Sequence, residues 1–342
     1  MSHTAASHVP CIPKTSAITA LEALYNYVKD DLNLVNNVIL QEMASQIPLI
    51  PNLAGHLIHA GGKRLRPILT IACAQLAGYQ GPRHIPLAAC VEFIHTATLL
   101  HDDVIDESNL RRGIASANAL WGNKASVLVG DFLFSRAFEL MVADGSFEVL
   151  KILSKASSTI VEGEVLQLIT ANDITTTETD YLNVIEAKTA QLFAAACHIG
   201  GVMAKCTNQQ KEALAAFGRN LGIAFQLIDD VLDYYGEESQ LGKTPGDDFR
   251  EGKVTLPVIL AFTQADAEEK KFWDRTLGKL EQEDQDFSLA IRYLKKHNVF
   301  PEIIEKTKLF SKKASDSLIV FPDSPLRKLL LNVADFCIYR LS

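Results

Sequence analysis

The stretch AFQLIDDVLD, residues 224–233, closes an apolar segment that decides the fold. Between residues 213 and 232, and again between 187 and 202, apolar side chains fall on nearly every face of a helix. A helix that is apolar all round is buried among other helices. Apolar positions recur at helical spacing along most of the chain, and alternating strand patterns are scarce. We therefore predict an all-α fold, a single large bundle of antiparallel helices around a central cavity.

Two acidic clusters of the form Asp-Asp-x-x-Asp each follow an apolar segment. Positions three and four apart share a helical face, so each cluster presents carboxylates side by side. One such cluster is usually a solvated helix face, but two clusters in apolar surroundings, where unpaired carboxylates are costly, require compensating cations. Mg²⁺ binds through one or two carboxylates together with substrate phosphate. We predict two facing metal sites that hold a diphosphate, formed by Asp102, Asp103 and Asp106, and by Asp229, Asp230 and Asp233.

The stretch GGKRLRP, residues 61–67, places three cations within four residues, beside a glycine pair. Arginine offers a planar fork for phosphate oxygens, and lysine offers a point charge. This pattern favours an anion site, although cations at the start of a helix are more often simply exposed. Arg111 and Arg112, just beyond Asp106, repeat the pattern.

The bulk composition limits the remaining possibilities. The chain has 342 residues, is 48% hydrophobic and has a net charge of -8, which argues against a nucleic-acid partner. No linker or low-complexity stretch divides it, so we predict a loose tail over residues 1–19 and one helical domain over 20–342. The six cysteines form no CxxC motif and residues 1–15 do not resemble a secretory signal, which favours the cytoplasm. No run approaches 18 uncharged apolar residues.

Glycine and proline mark the expected breaks between helices. These breaks are Gly61–Gly62, residues 78–82, Gly145, Gly200–Gly201, Gly236 and residues 242–246.

Six motifs in this order resemble those of the trans-type polyprenyl diphosphate synthases, which elongate isoprenyl chains head to tail. They are GGKRLRP, LLHDDVIDESNLRRG, LVGD, Lys188-Thr189, FQLIDDVLDY and GKTPGDDFREGK, spread from about residue 55 to residue 260. The resemblance implies an isoprenoid synthase fold, two or three Mg²⁺ ions per site, and a homodimer. It also implies two substrates, isopentenyl diphosphate and an allylic diphosphate of farnesyl or geranylgeranyl type. Release of the product would involve peripheral contact with a membrane.

The resemblance implies a role for each matching position. The catalytic residues would be Asp102, Asp103, Asp106, Arg111, Lys188, Asp229 and Asp230, and all six aspartates of the two clusters would hold metal. Contacts to the allylic diphosphate would come from Arg111, Lys188, Thr189, Gln226 and Lys243, with Lys253 at the pocket mouth. Isopentenyl diphosphate would be bound by Lys63, Arg66, His95 and Arg112. His95, Thr189 and Gln226 also fit purely structural roles, as a core histidine or as caps.

Product length depends on what blocks the apolar tunnel below the first cluster. Ala97, five residues before Asp102, and its neighbour Thr98 are not bulky. In the resembled family an aromatic at that place marks short-chain producers, so we predict a long product of about C40 to C50, suited to a quinone side chain. The tunnel floor would come from Met141, which lies about 15 Å beyond Asp131 if the helix is continuous. Phe93 and Leu153 are alternatives. Met141 fits a role in ordinary core packing equally well.

Three other functions remain open from the sequence. A terpene cyclase also ionises allylic diphosphates. This chain, however, has a second acidic cluster and a basic site at Lys63 and Arg66, which would serve a second diphosphate that a cyclase does not bind. A shorter-chain synthase making C15 to C25 products shares all the motifs. A non-catalytic subunit of a heteromeric synthase generally loses part of an acidic cluster, and both clusters are intact in this chain.

Overall fold

The computed structural model describes residues 15–59, 62–111, 113–235 and 245–339. The helices of the first half are α1 Thr15–Tyr27, α2 Lys29–Glu42, α3 Leu49–His59, α4 Leu65–Leu76, α5 His84–Ile105, α6 Ala117–Trp121, α7 Asn123–Asp144 and α8 Phe147–Thr170. A hairpin of two short strands, β1 Leu110–Arg111 and β2 Ile114–Ala115, follows α5. Its register pairs Leu110 with Ala115 and Arg111 with Ile114.

The second half of the chain is also helical. Its helices are α9 Glu178–Ile185, α10 Gln191–Met203, α11 Asn208–Tyr235, α12 Asp247–Arg250, α13 Leu256–Gln264, α14 Ala267–Trp273, α15 Asp286–Lys296, α16 Val299–Ser317 and α17 Pro325–Tyr339. Two π-helical turns, Glu186–Ala190 and Asp274–Gly278, and a 3₁₀ turn, Leu318–Val320, extend helices in this half. The all-α prediction is therefore confirmed.

The centre of the bundle is formed by α10 and α11, as their all-round apolar pattern predicts. Almost every residue of α10 is buried, and the helix packs against α4, α8 and α11. The first acidic cluster is carried by α5, which packs against α4 and α7, and α11 packs also against α16. One large core joins α1–α8, α10, most of α11 and the C-terminal helices, and a second core surrounds the end of α11 and α12–α16. The two acidic clusters therefore lie on adjoining parts of one bundle.

The predicted break at Gly200–Gly201 is wrong, because both glycines lie inside α10. A Cβ atom at Gly200 would lie 2.7 Å from the backbone nitrogen of Ala74 in α4 and 2.9 Å from the Cβ of Cys73. Glycine at this position thus permits close contact between two buried helices and does not end one. By contrast, Gly145 does end a helix: it follows α7 with φ +72, a conformation that glycine adopts at little cost.

Gly200→Ala is expected to lower the free energy of unfolding by about 1–3 kcal/mol, because the new methyl group overpacks the α4–α10 contact. Gly55→Ala in α3 provides the matched control, since nothing lies within 4 Å of a Cβ built there. Alanine is a better helix former than glycine by up to about 1 kcal/mol, so this control should be neutral or stabilising. Denaturant unfolding of both variants checks the prediction, and wild-type stability of Gly200→Ala would contradict it.

Other features bear on the domain and compartment predictions. Helix α1 begins at Thr15, five residues before the predicted domain boundary, which stays a prediction. Within the part of the chain that the structure describes, no helix is long and apolar enough to cross a membrane. Cys73, Cys90 and Cys197 are buried, Cys206 is half-buried, and these four are free thiols.

Candidate active site

The first acidic cluster lies at the carboxyl end of α5. Asp102 and Asp103 belong to the last helical turn, and Asp106 caps the helix. Asp102 lines a cavity of about 690 Å³. Asp103 is fully buried and binds Arg111 of the hairpin, whose Nε lies 2.9 Å from both carboxylate oxygens and whose Nη2 lies 2.5 Å from Oδ1. The hairpin therefore fixes Arg111 against the cluster, with Asp103 as its anchor.

The second cluster lies at the carboxyl end of α11, and Asp229 and Asp230 line the same cavity as Asp102. The buried carboxylate of Asp233 accepts a hydrogen bond from the backbone N–H of Asp248 at 3.0 Å. Its backbone carbonyl accepts another from Gly246 at 2.8 Å. Asp233 thus holds the segment that leads into α12, and two of the three aspartates face the cavity.

Asp230 is held by two hydrogen-bond donors. The hydroxyl of Tyr181, from α9, donates to Oδ2 at 2.5 Å, and the Gln226 amide donates to Oδ1 at 2.7 Å. Burial raises the pKa of Asp230 to about 7, with Asp229 and Asp233 adding to the rise and the two donors opposing it. Gln226 accepts in turn from Thr189 at 2.9 Å, so a chain of hydrogen bonds joins α9, α11 and the π-helical turn.

Lys188 and Thr189 lie on the π-helical turn Glu186–Ala190, and π turns of this kind frequently occur at functional sites. The ammonium Nζ of Lys188 lies 2.8 Å from Glu164 Oε2 and 4.0 Å from Asp102 Oδ2. Helix α8 comes this near because residue 163 is glycine: a Cβ there would lie 2.8 Å from the backbone nitrogen of Lys188. Lys188 therefore lies between carboxylates from two helices.

Lys253 reaches the first cluster from the segment after α12. Its Nζ lies 3.1 Å from Asp106 Oδ2 and 2.5 Å from Glu251 Oε2. Burial alone lowers the pKa of Lys253, but the carboxylates of Asp106, Asp248 and Glu251 outweigh burial and raise it. The ammonium group therefore stays charged at physiological pH and bridges the two halves of the chain.

The basic loop, which we define as residues 62–66 leading into α4, lines the same cavity. Lys63 Nζ lies 5.3 Å from the centre of the Phe336 ring in α17. The guanidinium of Arg66 lies 4.4 Å above the Phe193 ring, and Arg66 Nη1 lies 3.1 Å from His95 Nε2. The cavity thus brings together the basic and polar residues Lys63, Arg66, His95, Thr189 and Gln226 with Asp102 of the first cluster and Asp229 and Asp230 of the second.

Some predicted residues lie elsewhere. Arg112 and Lys243 fall outside the described residues. Of the chain-length positions, Thr98 lines the cavity, whereas Ala97 and Met141 are buried in the core, as are the alternatives Phe93 and Leu153. The estimate of about 15 Å between Asp131 and Met141 assumed an unbroken helix. Helix α7 is continuous from Asn123 to Asp144 and so meets that condition. The roles of these residues in chain length stay predictions.

Glu164 and Tyr181 are among the residues that contact the site and that sequence reasoning missed. Glu164 pairs with Lys188, and its Oε1 is buried without a hydrogen-bond partner. Tyr181 lies 49 residues from the aspartate that it contacts, so no local spacing links them. Gly163, next to Glu164 in the interior of α8, is the sequence signal that could have indicated close helix contact at that point.

The chemistry of the first cluster suits a hard divalent cation. Burial raises the pKa of Asp102 to about 7, and Glu164 and Asp106 add to the rise despite the attraction of Lys188. Every donor of the cluster is a carboxylate oxygen, the kind of ligand that Mg²⁺ prefers. Across the described residues, no three His, Cys, Asp or Glu side chains are already placed to hold one ion. Water and substrate phosphate usually complete the coordination of Mg²⁺ at such sites.

Comparisons with known proteins place this geometry in a family. The polyprenyl synthetase family model matches residues 47–294. Octaprenyl diphosphate synthase of Escherichia coli (strain K12) is 43% identical over 324 residues, which cover 94% of this chain and 99% of that protein. The crystal structure of a decaprenyl diphosphate synthase from Rhodobacter capsulatus has 49% identity and a TM-score of 0.90, covering 94% of this chain and 99% of that one.

A second similar structure is a polyprenyl synthase from Caulobacter crescentus CB15 in complex with calcium and isoprenyl diphosphate. It has 48% sequence identity to this chain and a TM-score of 0.92, and the match covers 94% of this chain and 98% of that one. The chain belongs to the polyprenyl synthetase family. It is a prenyltransferase with the isoprenoid synthase fold, and the predicted long-chain trans-polyprenyl diphosphate synthase function is confirmed.

Proposed function

We propose that the protein condenses isopentenyl diphosphate head to tail onto an allylic diphosphate of farnesyl or geranylgeranyl type, with Mg²⁺. The product would be about C40 to C50 long and would serve as a quinone side chain; two similar proteins are named octaprenyl and decaprenyl diphosphate synthases. One observation carries the proposal: a single cavity is lined by Asp102, by Asp229 and Asp230, and by the cations Lys63 and Arg66.

The allylic diphosphate would lie between the two acidic clusters. Asp102, Asp106 and Asp229 would hold Mg²⁺ ions, which when bound neutralise the leaving diphosphate. Lys188, already in the cavity beside Asp102, would bind the same diphosphate oxygens, with Arg111, Lys253 and Lys243 as further cations. These groups stabilise the charge that develops as the allylic carbon–oxygen bond breaks, so they favour the transition state over the ground state.

Isopentenyl diphosphate would bind on the other side of the cavity, through Lys63, Arg66 and His95, and through Arg112. The apolar walls between the two diphosphates, including Phe193 and Phe225, exclude water and hold the double bond against the allylic carbon. A carbon–carbon bond then forms, and one proton leaves the isopentenyl-derived carbon. The departing diphosphate would accept this proton, and we assign no side chain to that step.

The test is elongation by the purified protein with farnesyl or geranylgeranyl diphosphate, labelled isopentenyl diphosphate and Mg²⁺. We expect label in a long apolar product on reversed-phase chromatography, and no product after the metal is removed with a chelator. An unlabelled cyclic hydrocarbon would indicate a terpene cyclase. Labelled C15 to C25 products would indicate a short-chain synthase, and inertness with every allylic primer would indicate a non-catalytic subunit.

We also propose that the protein is a homodimer that pairs through α7 and α8. The support is a set of exposed apolar side chains on these two helices, including Leu128 at 67%, Val142 at 67%, Val165 at 50% and Ile169 at 72% exposure. Exposed apolar patches of this kind mark interaction sites. The cytoplasmic location and a peripheral membrane contact during product release stay predictions.

A further inference from the structure

The basic loop contains a third cation, Arg64, that the proposed function does not use. Arg64 directly precedes α4 and has a backbone φ of +47 and ψ of 34, in the left-handed region that residues other than glycine rarely adopt. Its side chain is 15% exposed and forms an ion pair with Glu92 of α5, whose side chain is 9% exposed. Residues in such a conformation persist only where the surrounding structure fixes them. The pair with Glu92 supplies that constraint.

Glu92 also places this pair next to the proposed isopentenyl diphosphate site. It lies three residues before His95, on the same face of α5. His95 contacts Arg66 and Glu92 contacts Arg64, so α5 holds the basic loop at two successive points. Arg64 and Glu92 line the same cavity as Lys63 and Arg66. The orientation of the two proposed phosphate-binding cations therefore depends on the turn that Arg64 completes.

The charge balance supports the same role. Glu92 is buried beside a cavity that would receive a diphosphate, and an unpaired carboxylate there would repel the substrate and would be costly to bury. Pairing with Arg64 cancels this charge. Loss of Arg64 would therefore release the turn and also expose the substrate to a buried negative charge.

We propose that Arg64 and Glu92 are a positioning pair, which fixes the left-handed turn before α4 so that Lys63 and Arg66 together bind isopentenyl diphosphate. This inference rests on the proposed function. The pair acts through its neighbours in the basic loop, Lys63 and Arg66. It therefore sets the affinity for one of the two substrates.

The test compares Arg64→Asn, Glu92→Gln and the double variant. Asparagine tolerates the left-handed conformation, so the first change removes the guanidinium without imposing new backbone strain. We expect Arg64→Asn to raise the KM for isopentenyl diphosphate by about 10-fold or more, since small misplacements of binding groups have effects of up to about 100-fold. Glu92→Gln should raise it less, by about 3-fold, because glutamine still accepts a hydrogen bond. The KM for the allylic primer should stay unchanged, and kcat should change by less than about 3-fold.

The double variant separates positioning from direct binding. If the residues act only through each other, the double variant should be no worse than Arg64→Asn, and Arg64→Lys should restore part of the affinity. A raised KM in Arg64→Asn with an unchanged or lowered KM in Glu92→Gln would overturn the proposal, because it would make Arg64 a direct phosphate ligand. Wild-type KM values in both single variants would also overturn it.

A second ion pair in the same helix region provides the control. Arg83, which precedes α5, binds Asp144 of α7 through Nε at 2.7 Å and Nη2 at 2.8 Å, and Asp144 is buried. Arg83→Asn and Asp144→Asn should lower thermal stability without changing either KM. If the wild-type protein incorporates no isopentenyl diphosphate, the proposed function fails. If the wild type elongates normally and the Arg64 variants match it, only the positioning role fails.

Discussion

Asp102→Ala is expected to abolish chain elongation while leaving the helical bundle folded. The carboxylate lines the cavity and lies 4.0 Å from Lys188, so its loss would remove a proposed metal ligand and the neighbour of a proposed diphosphate-binding cation. Metal ions contribute several kcal/mol of charge stabilisation to a transition state, so turnover should fall on the order of 1,000-fold or more. Turnover is measured with labelled isopentenyl diphosphate at saturating Mg²⁺.

The fold should tolerate this change, because burial already penalises the charged form of Asp102 and raises its pKa to about 7. The midpoint of thermal unfolding should therefore stay equal or rise. Asp316→Ala, at an exposed carboxylate of α16 that pairs with Lys312, is the control and should leave turnover unchanged. Near-normal elongation by Asp102→Ala would refute the metal-binding role.

Ala97→Phe is expected to shorten the product, with the main product falling by several isoprene units. Residue 97 lies on α5 directly beside Thr98, which lines the cavity, and five residues before Asp102. A phenyl ring there would narrow the region that a growing chain must enter below the first cluster. Because Ala97 is fully buried, the same ring overpacks the core and should also cost about 1–3 kcal/mol of stability. Reversed-phase chromatography of the products gives the chain-length profile.

Ala88→Phe is the matched control for this experiment. Ala88 is also fully buried in α5, but it lies nine residues earlier, on the opposite face of the helix. We expect a similar loss of stability with an unchanged product length. A shortened product from Thr98→Phe but not from Ala97→Phe would place the tunnel wall at the residue that faces the cavity. Unchanged products from both variants would place it elsewhere in the core.

The sequence alone predicted the helical bundle and its central helices, because the segments that form α10 and most of α11 are apolar on nearly every face, and such helices are buried. The same reasoning misjudged Gly200, since the role of that glycine depends on Ala74 and Cys73, which are far away in the chain. A glycine that breaks a helix and a glycine that admits a neighbouring helix are identical in a local pattern. Only the packing partner distinguishes them.

The candidate site shows the same division between local and distant information. The aspartate spacing within α5 and α11 predicts that the carboxylates of each cluster share a helical face, and of the six aspartates Asp102, Asp229 and Asp230 line the cavity. It did not predict that Arg111 would bind Asp103, which depends on the hairpin register, or that Tyr181 would bind Asp230. Nor did it predict the π-helical turn that carries Lys188, since no residue type specifies such a turn.

The cations beside the acidic clusters also determine how the ligands depend on one another. Lys188 pairs with Glu164, Lys253 pairs with Asp106 and Arg111 pairs with Asp103. If a diphosphate bound Lys188 or Lys253, the carboxylate paired with that lysine could bind a metal ion. Conversely, a metal ion bound to that carboxylate would allow the lysine to bind phosphate. We therefore expect metal and diphosphate to bind with positive cooperativity, and by thermodynamic linkage each should increase the affinity for the other by the same factor.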